Sequence, residues 1–378
     1  MTPEQASQKF KWVNYDSQNK TVDLFCDHHM LSTLRTCEAK FLLEHILNIR
    51  PKAHKAWSLM FGTWLHSCLE LYYNSIKDHD GKPLSIDEFL AYGNKQWSNL
   101  RLNDYQDETK FEKLGGREGA LSLLTQYYAY FNGLRMRVVA TEVTFGFDKE
   151  VHLGSFTFAG QPSHDKLLED IYGLDPIQVN CYLTGRIDFL ADNGNKIGPI
   201  DHKTAASFRG DEHLKFNPHD GITGYIYATN KIVGKFYPKY LEQGRKCLSA
   251  WVHHISTASP SKSRKTGEVG PRFKVTNIDK DEAQLEEYRV RNLETFKRVA
   301  ELLFNNKQPE WSSHTCSFIF GNPCEYRPIH ETNSDRWTQI IQDHYQVTEE
   351  WNPLSPDESA IVRDKVIDEE SFKLYKLG

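Results

Sequence analysis

The apolar positions of this chain recur with a helical period in several separate segments. They predict one helix from an N-cap at Ser32 through Leu47, and a second over residues 56–76. A third amphipathic helix is predicted over 118–134, and a long charged helix over 279–305. Residues 77–117 are polar and weakly periodic, which is typical of a helical insertion with loops.

Other segments have the composition and spacing of strands. Strand-like runs cover residues 138–147, 151–160 and 247–255, and two more lie within 184–204. Residues 161–182 are predicted to be rich in loops. Because helical and strand-like segments are interspersed, the pattern predicts an α/β protein.

The most informative stretch is Thr184–Thr204, which reads TGRIDFLADNGNKIGPIDHKT. An Asn-Gly pair between two strand-like runs, here Asn193-Gly194, is a strong hairpin signal. With those two residues as the turn, the register places Asp188 opposite Pro199. A bulge at Gly198-Pro199 would shift this register.

This hairpin is predicted to bring two carboxylates and one ammonium together. Side chains alternate faces along a strand, so Asp201 and Lys203 share a face, and Asp188 points the same way. Diagonal cross-strand neighbours lie about 7–8 Å apart. Carboxylate oxygens at that separation suit Mg²⁺ or Mn²⁺. The alternative is a solvated hairpin in which the Asp-x-Lys sequence occurs by chance.

Composition restricts how such a site would meet a partner. The chain has 378 residues, 39% of them hydrophobic and 26% charged, and a net charge of −5. A generally basic nucleic-acid coat is therefore excluded, and any DNA contact is expected in a local basic groove. The loop 259–272 carries Lys262, Arg264 and Lys265, which either bind phosphates or form an ordinary solvated loop.

Cysteine usage and hydropathy indicate a location. Seven cysteines, an odd number, fit free or metal-binding thiols in a reducing cytoplasm better than a disulfide framework. The segment Met1–Lys20 is polar and has no signal-peptide pattern. No apolar run approaches the ~20 residues that span a bilayer, so no membrane partner is expected.

The order Gly-Arg-Ile-Asp, hairpin, Asp-His-Lys-Thr resembles the PD-(D/E)XK nuclease superfamily. More narrowly, it is similar to the RecB/AddB-like branch of phage exonucleases and CRISPR-associated adaptation nucleases. The resemblance implies a mixed β-sheet nuclease core flanked by helices. It also implies that Asp188, Asp201 and Lys203 are catalytic, with the backbone carbonyl of His202 as a further metal ligand.

Other motifs of the branch have counterparts here. The Phe-Gly-x-x-x-His pattern ending at His66 implies a histidine that leans over the metal, whereas His66 alone would be read as a core histidine. Gly62, one turn earlier, is expected to mark close helix packing. Glu142 matches a glutamate of the branch, and a structural role is favoured for it. Tyr225 matches the tyrosine of a Gln-x-x-x-Tyr pair on a predicted helix over 220–233, but Gly221 replaces the glutamine.

The branch also carries a [4Fe–4S] cluster held by one early and three late cysteines. Here the matching residues are Cys37, Cys316, Cys324 and, in place of the last cysteine, His330. Histidine also ligates some cluster irons, and a Cys₃His set suits zinc as well. The third alternative is that these residues only pack. A cluster at these positions would join the two ends of the chain like a staple.

The resemblance spans residues 32–330 and implies a division of the chain. The parts are an N-terminal helical region with His66 and the first cluster cysteine (1–136), a nuclease core (137–305), a metal staple in the C-terminal cysteine-containing segment (306–330) and a C-terminal tail (331–378).

The implied function is Mg²⁺- or Mn²⁺-dependent cleavage of DNA, as an exonuclease in recombination, repair or phage DNA processing. The partners would be DNA and a single-strand annealing recombinase or a helicase. One alternative is a catalytically inactive, nuclease-like DNA-binding subunit of a recombination or helicase complex. Another is a zinc-stabilised interaction protein.

Overall fold

The chain divides into two compact units. The first comprises Met1–Lys52, Phe145–Gly185 and Glu286–Gly378, and the second comprises Ala53–Thr144 and Arg186–Leu285. The computed structural model describes residues 1–52, 57–79, 81–105, 109–132, 136–146, 148–159, 176–205, 208, 216, 219–239, 244–258, 272–305, 307–312, 324–332 and 336–348.

Helices and strands are interspersed along the described chain. In order they are α1 (Pro3–Lys9), β1 (Val13–Asp16), β2 (Thr21–Asp27), α2 (His28–Thr36), α3 (Glu38–Phe41), β3 (Ile49–Pro51), α4 (Trp57–Asp78), α5 (Ile86–Asn99), α6 (Thr109–Leu114), α7 (Gly116–Phe131), β4 (Arg137–Phe145), β5 (His152–Phe158), β6 (Ile177–Asp192), β7 (Ile197–Ala205), α8 (Asp220–Phe236), β8 (Ser249–Ser256), β9 (Phe273–Asp279), α9 (Glu282–Phe304), α10 (Arg327–His330), α11 (Trp337–His344) and β10 (Tyr345–Val347). A π-helical turn, Leu42–Ile46, follows α3, and a 3₁₀ turn, Leu102–Tyr105, follows α5.

Each unit contains mixed strand pairing. In the first unit β2 pairs with β1 antiparallel and with β6 parallel, and β5 pairs with β6 antiparallel. In the second unit β7 lies between β6, antiparallel, and β8, parallel, while β9 pairs antiparallel with β8. The predicted α/β class with a mixed sheet flanked by helices is confirmed.

The core of the second unit is dominated by aromatic side chains. Trp64 and Tyr72 of α4, Trp97 of α5 and Tyr127 of α7 are buried together with Phe189 of β6. The ring of Tyr73, on α4, stacks on that of Phe189 with a centroid separation of 3.9 Å. Because large aromatic surfaces dominate core burial, these contacts fix α4 and α7 against the hairpin strands of the same unit.

The hairpin between β6 and β7 has a longer turn than the sequence predicted. Asp192 pairs with Ile197, so four residues, 193–196, form the loop. The Asn193 side chain accepts the backbone N–H groups of Asn195 and Lys196, and Gly194 has φ +91°. The predicted pairing of Asp188 with Pro199 is therefore wrong, because Pro199 pairs with Leu190. The register differs by two residues, which leaves every side chain on its predicted face.

Two further boundaries differ from the prediction. The first helix begins at His28, because Asp27 rather than Ser32 caps it and accepts the Met30 N–H at 2.8 Å. It is interrupted at Cys37, whose backbone is extended. Strand β6 begins at Ile177, inside the stretch that was predicted to be loop-rich. Hydrophobic periodicity does not detect the interruption at Cys37, since a single extended residue leaves the apolar spacing of its neighbours almost unchanged.

Candidate active site

Asp188, on β6, lies beside two histidines. Its Oδ1 is 3.4 Å from Nδ1 of His66, on α4. Its Oδ2 accepts the backbone N–H of His202 at 2.8 Å and lies 3.1 Å from Nδ1 of the same residue. Ligand atoms of these three side chains all lie within 4.8 Å of one another. Elements α4, β6 and β7 therefore supply one group of potential metal ligands, and His202 contacts Asp188 through both its imidazole ring and its backbone N–H.

Asp201 and Lys203 form the second half of the site. The Lys203 ammonium lies 3.0 Å from both carboxylate oxygens of Asp201, but its hydrogen bond goes to Oδ1. Asp201 is buried, whereas the Lys203 side chain is 43% exposed. The lysine therefore joins a buried carboxylate to the surface of the unit.

The charges of this site depend on one another. Burial acts to raise the pKa of Asp188, but His66 and His202 outweigh it and hold that pKa well below its ordinary value. Burial lowers the pKa of His202, although Asp188 opposes the change. For His66, burial acts to lower the pKa and the Asp188 charge raises it above the usual value. Asp188 is therefore a carboxylate and His202 a neutral imidazole at neutral pH.

The other two groups shift in a related way. Burial raises the pKa of Asp201; the Lys203 ammonium opposes this change and the Asp188 carboxylate adds to it. Burial acts to lower the pKa of Lys203, but Asp201 outweighs it and raises that pKa. The Asp188 carboxylate thus raises the proton affinity of Asp201, which marks a place where positive charge is favoured.

A divalent cation fits these residues. Oδ2 of Asp201 is buried and has no hydrogen-bond partner among the described residues. The Lys203 ammonium is its ion-pair partner at 3.0 Å, and a buried carboxylate oxygen that accepts no hydrogen bond gains from further positive charge. A metal ion between Asp188 and Asp201 would satisfy it and would offset the repulsion of the two carboxylates. The two carboxylates supply the oxygen ligands that suit Mg²⁺ or Mn²⁺.

A buried chain of hydroxyl groups supports His202 from behind. The Tyr127 hydroxyl lies 3.0 Å from Nε2 of His202, and the Tyr73 hydroxyl lies 2.6 Å from that of Tyr127. A neutral His202 that donates from Nδ1 to Asp188 accepts the Tyr127 proton at Nε2. Neither tyrosine stands out in the sequence, because each sits on the apolar face of its helix. Each belongs to a pair of consecutive tyrosines, Tyr72-Tyr73 or Tyr127-Tyr128, and these pairs were the signal available in the sequence.

Glu142, on β4, lies at the margin of the site. Its carboxylate is 2.9 Å from Nε of Arg186. Burial raises its pKa to about 7, although Arg186 opposes the shift. Its backbone has φ +45°, which is unusual for a residue other than glycine. The ion pair agrees with the structural role favoured for Glu142.

The remaining predicted DNA-binding residues are less informative. Tyr225 is half-buried on α8, and Gly221 is buried one turn earlier on the same helix. Lys262, Arg264 and Lys265 lie outside the described residues. Arg272, from the same basic loop, is buried and donates from Nε to the carbonyl of Ser256. His219, which caps α8, is a neighbour of the site that the sequence did not indicate. Burial lowers its pKa, the Lys203 ammonium adds to this shift and the Asp201 carboxylate opposes it.

The predicted cluster residues lie in the first unit. Cys37 is buried, with Sγ 3.9 Å from the Glu310 carbonyl oxygen, and Cys324 is half-buried. The His330 ring stacks on Trp311 at 4.3 Å between centroids. Cys316 lies outside the described residues, so the cluster stays a prediction.

Comparison with known families places this site in a wider group. A model of the PD-(D/E)XK nuclease superfamily matches residues 28–329, most of the chain. The chain belongs to the PD-(D/E)XK nuclease superfamily. Members of this superfamily are typically metal-dependent nucleases. The matched range includes His66, Asp188, Asp201 and Lys203.

Two further comparisons add little to the superfamily assignment. No curated protein matches the sequence. A solved structure titled "Crystal structure of SSO0001" is 10% identical, covers 63% of this chain and 83% of that chain, and has a TM-score of 0.18. None of the helices in the described part of this PD-(D/E)XK chain has the length and apolar character that crossing a bilayer requires.

Proposed function

We propose that this PD-(D/E)XK protein is a deoxyribonuclease that hydrolyses phosphodiester bonds with Mg²⁺ or Mn²⁺. One observation carries the proposal. The second unit brings Asp188 and His66 into contact, and places beside them a buried Asp201 paired with Lys203. The Asp201 oxygen Oδ2 is buried and has no hydrogen-bond partner among the described residues, which supports a cation at this place.

Each residue has a role that follows from its contacts. Asp188, Asp201, His66 and the backbone carbonyl of His202 would hold the metal. The His202 N–H and ring also orient Asp188 through two contacts to Oδ2. When bound, the metal lowers the pKa of its water and stabilises charge on the phosphate. The exposed end of Lys203 reaches the substrate side of the site, where an ammonium neutralises the charge that develops in the transition state. A raised pKa makes Lys203 a cation at neutral pH rather than a general base.

The finer parts of the proposal come from the family resemblance. We place the protein in the RecB/AddB-like branch, with exonuclease action in recombination, repair or phage DNA processing in a bacterial or phage-infected cytoplasm. A recombinase or helicase would be its protein partner. Cys37, Cys316, Cys324 and His330 would hold a [4Fe–4S] cluster, with zinc as the alternative. Protein purified without oxygen should then be brown, and Cys316→Ser should remove the colour.

A cleavage assay with a matched control tests the proposed activity. Purified protein is incubated with end-labelled linear DNA and with circular DNA, with Mn²⁺, Mg²⁺ or chelator. Asp201→Asn should abolish cleavage by removing a metal ligand, whereas Asp87→Asn, an exposed aspartate on α5 in the same unit, should cleave like the wild type. Degradation of the linear substrate alone supports exonuclease action. Wild-type protein that binds DNA without cutting it would replace the proposal with the inactive DNA-binding alternative.

A further inference from the structure

A second group of potential metal ligands lies in the first unit, apart from the nuclease motif. It consists of His29 on α2 together with Glu44 and His45 in the π-helical turn after α3. One ligand atom from each residue lies within 4.8 Å of the others. We propose that His29, Glu44 and His45 form a binding site for a divalent transition metal, with zinc as the best match to the donors.

The π-helical turn explains how consecutive residues reach the same interior. In an α-helix, adjacent side chains point about 100° apart, so five consecutive residues normally point to more than one side of the helix. All five residues of Leu42–Ile46 are buried, including the polar pair Glu44 and His45. Turns of this kind are rare and are found frequently at functional sites.

His45 is the residue that most needs a partner. It is 2% exposed, and neither of its ring nitrogens has a hydrogen-bond partner among the described residues. Burial lowers the pKa of His45 to about 3, so the imidazole is neutral and has a free lone pair at physiological pH. Neutral imidazole is the form that binds metals. Its T-shaped contact with the His29 ring, 5.6 Å between centroids, brings the two imidazoles to the same place.

Glu44 completes the donor set. Its Oε1 contacts Arg50 and lies 3.4 Å from Nε2 of His29. Its Oε2 is buried, has no hydrogen bond among the described residues and lies 3.9 Å from the Lys40 ammonium. Oε2 is therefore the oxygen that a metal would bind.

The balance of nearby charges favours a cation at this site. Lys40 is also paired with Glu325 at 2.9 Å, and the Asp27 carboxylate interacts electrostatically with His45. Three carboxylates therefore face two basic side chains, Lys40 and Arg50. The His29 side chain is 57% exposed, which gives an ion a path from solvent to the buried pair.

The donor chemistry selects the class of metal. Two imidazoles and one carboxylate form the His₂Glu set that binds zinc with a water in the fourth position. Mg²⁺ and Ca²⁺ prefer sites made of oxygen ligands, so they fit poorly here. A zinc ion at this place would tie the start of α2 to the turn that follows α3.

Zinc stoichiometry in a background without the nuclease metal site tests the proposal. The parent carries Asp188→Asn, is stripped with chelator, dialysed against zinc and analysed for bound metal. Adding His45→Phe should lower the zinc content by one equivalent, and adding His29→Ala should weaken zinc binding at least tenfold in calorimetric titration. Zinc held elsewhere, for example by cysteines, is common to all variants and cancels in the difference.

Two further variants make the result decisive. His152→Phe, at an exposed histidine of β5 in the same unit, should keep the parent's zinc content. Arg50→Gln should bind zinc several-fold more tightly, because it removes a positive charge that contacts Glu44. His29 is largely exposed, so His29→Ala remains informative if His45→Phe does not fold. Unchanged zinc content and affinity in the folded His29→Ala variant would overturn the proposal.

Discussion

The two oxygens of Asp201 have different surroundings, which has a consequence for Lys203. The ammonium is within 3.0 Å of both oxygens, although it donates a hydrogen bond to only one. A metal ion at Asp201 would therefore compete with this lysine for the carboxylate. The lysine contributes positive charge to the site at the expense of metal affinity.

We expect Lys203→Ala to separate catalysis from metal binding. Cleavage of DNA should fall by two or more orders of magnitude, as for loss of a transition-state electrostatic group. Mn²⁺ affinity should stay equal or become tighter, because the competing ammonium is gone. Lys196→Ala, in the hairpin loop, removes only a surface pair with Asp279 and should change neither quantity. Lys203→Ala with an unaltered cleavage rate would refute the assigned role.

Tyr127 provides a test of the support behind His202. Tyr127→Phe keeps the ring in the core but leaves the buried Nε2 of His202 without its partner. An unsatisfied buried acceptor costs about 1–3 kcal/mol. The free energy of unfolding should fall by that amount in urea titration, and Mn²⁺ affinity should fall with it. Tyr128→Phe, whose hydroxyl bonds the Leu84 carbonyl instead, should leave Mn²⁺ affinity unchanged.

Glu142 should give the protein a distinctive pH dependence. Its pKa is raised from the ordinary 4.5 to about 7 in the folded state, so the folded chain keeps a proton that the unfolded chain has lost between those values. Stability contributed by this group is therefore present below pH 4.5 and falls as pH rises towards 7, by at most about 1.4 kcal/mol per pH unit. In chelator, Glu142→Gln should remove this decline. If the stability of the two proteins depended on pH in the same way, the raised pKa of Glu142 would be contradicted.

At the scale of elements, two glycines show opposite constraints. A Cβ at Gly198 of β7 would collide with the Ser249 carbonyl oxygen and the Trp251 ring of β8. At Gly62 of α4, no atom of the described residues lies within 4 Å of the added Cβ. The predicted close packing at Gly62 is therefore wrong. Among the described residues, this open space lies one turn from His66.

Alanine at these two positions should have effects of opposite sign. Gly198→Ala should destabilise the protein by about 1–3 kcal/mol or more, because a backbone carbonyl cannot move aside easily. Gly62→Ala should stabilise it by about 0.5–1 kcal/mol, the usual gain in a helix interior. Both are measured by chemical denaturation. If the stabilised Gly62→Ala protein cleaves DNA poorly, the glycine keeps space for substrate.

The hairpin shows what the sequence could and could not predict. Alternation alone put Asp188, Asp201 and Lys203 together, because a two-residue change in register preserves the faces. The hydrophobic pattern did not predict the length of the turn, because the loop depends on hydrogen bonds to the Asn193 side chain. Tyr127 and the π-helical turn were missed for a different reason. Their positions depend on long-range packing, which leaves no local periodic signal.

At the scale of the whole molecule, metal binding should appear as added stability. An ion that binds only the folded state stabilises it by about 2.7 kcal/mol at one hundred times the dissociation constant. Thermal unfolding in Mn²⁺ should therefore occur at a higher temperature than in chelator. Asp188→Asn should remove most of this difference. An equal increase in that variant would show that the ion acts elsewhere in the chain.

The order of the segments along the chain has a consequence for synthesis. The second unit is complete once Leu285 has been translated, but the first unit still awaits everything from Glu286 onwards. Translation proceeds at about 5–20 residues per second, so the first-unit residues after Glu286 emerge seconds later. A nascent chain therefore already contains Asp188, Asp201 and Lys203 before the segment after Glu286, which belongs to the same unit as Met1–Lys52, has been translated. Ribosomes stalled shortly after Leu285 leaves the exit tunnel would present the nuclease motif without the finished first unit.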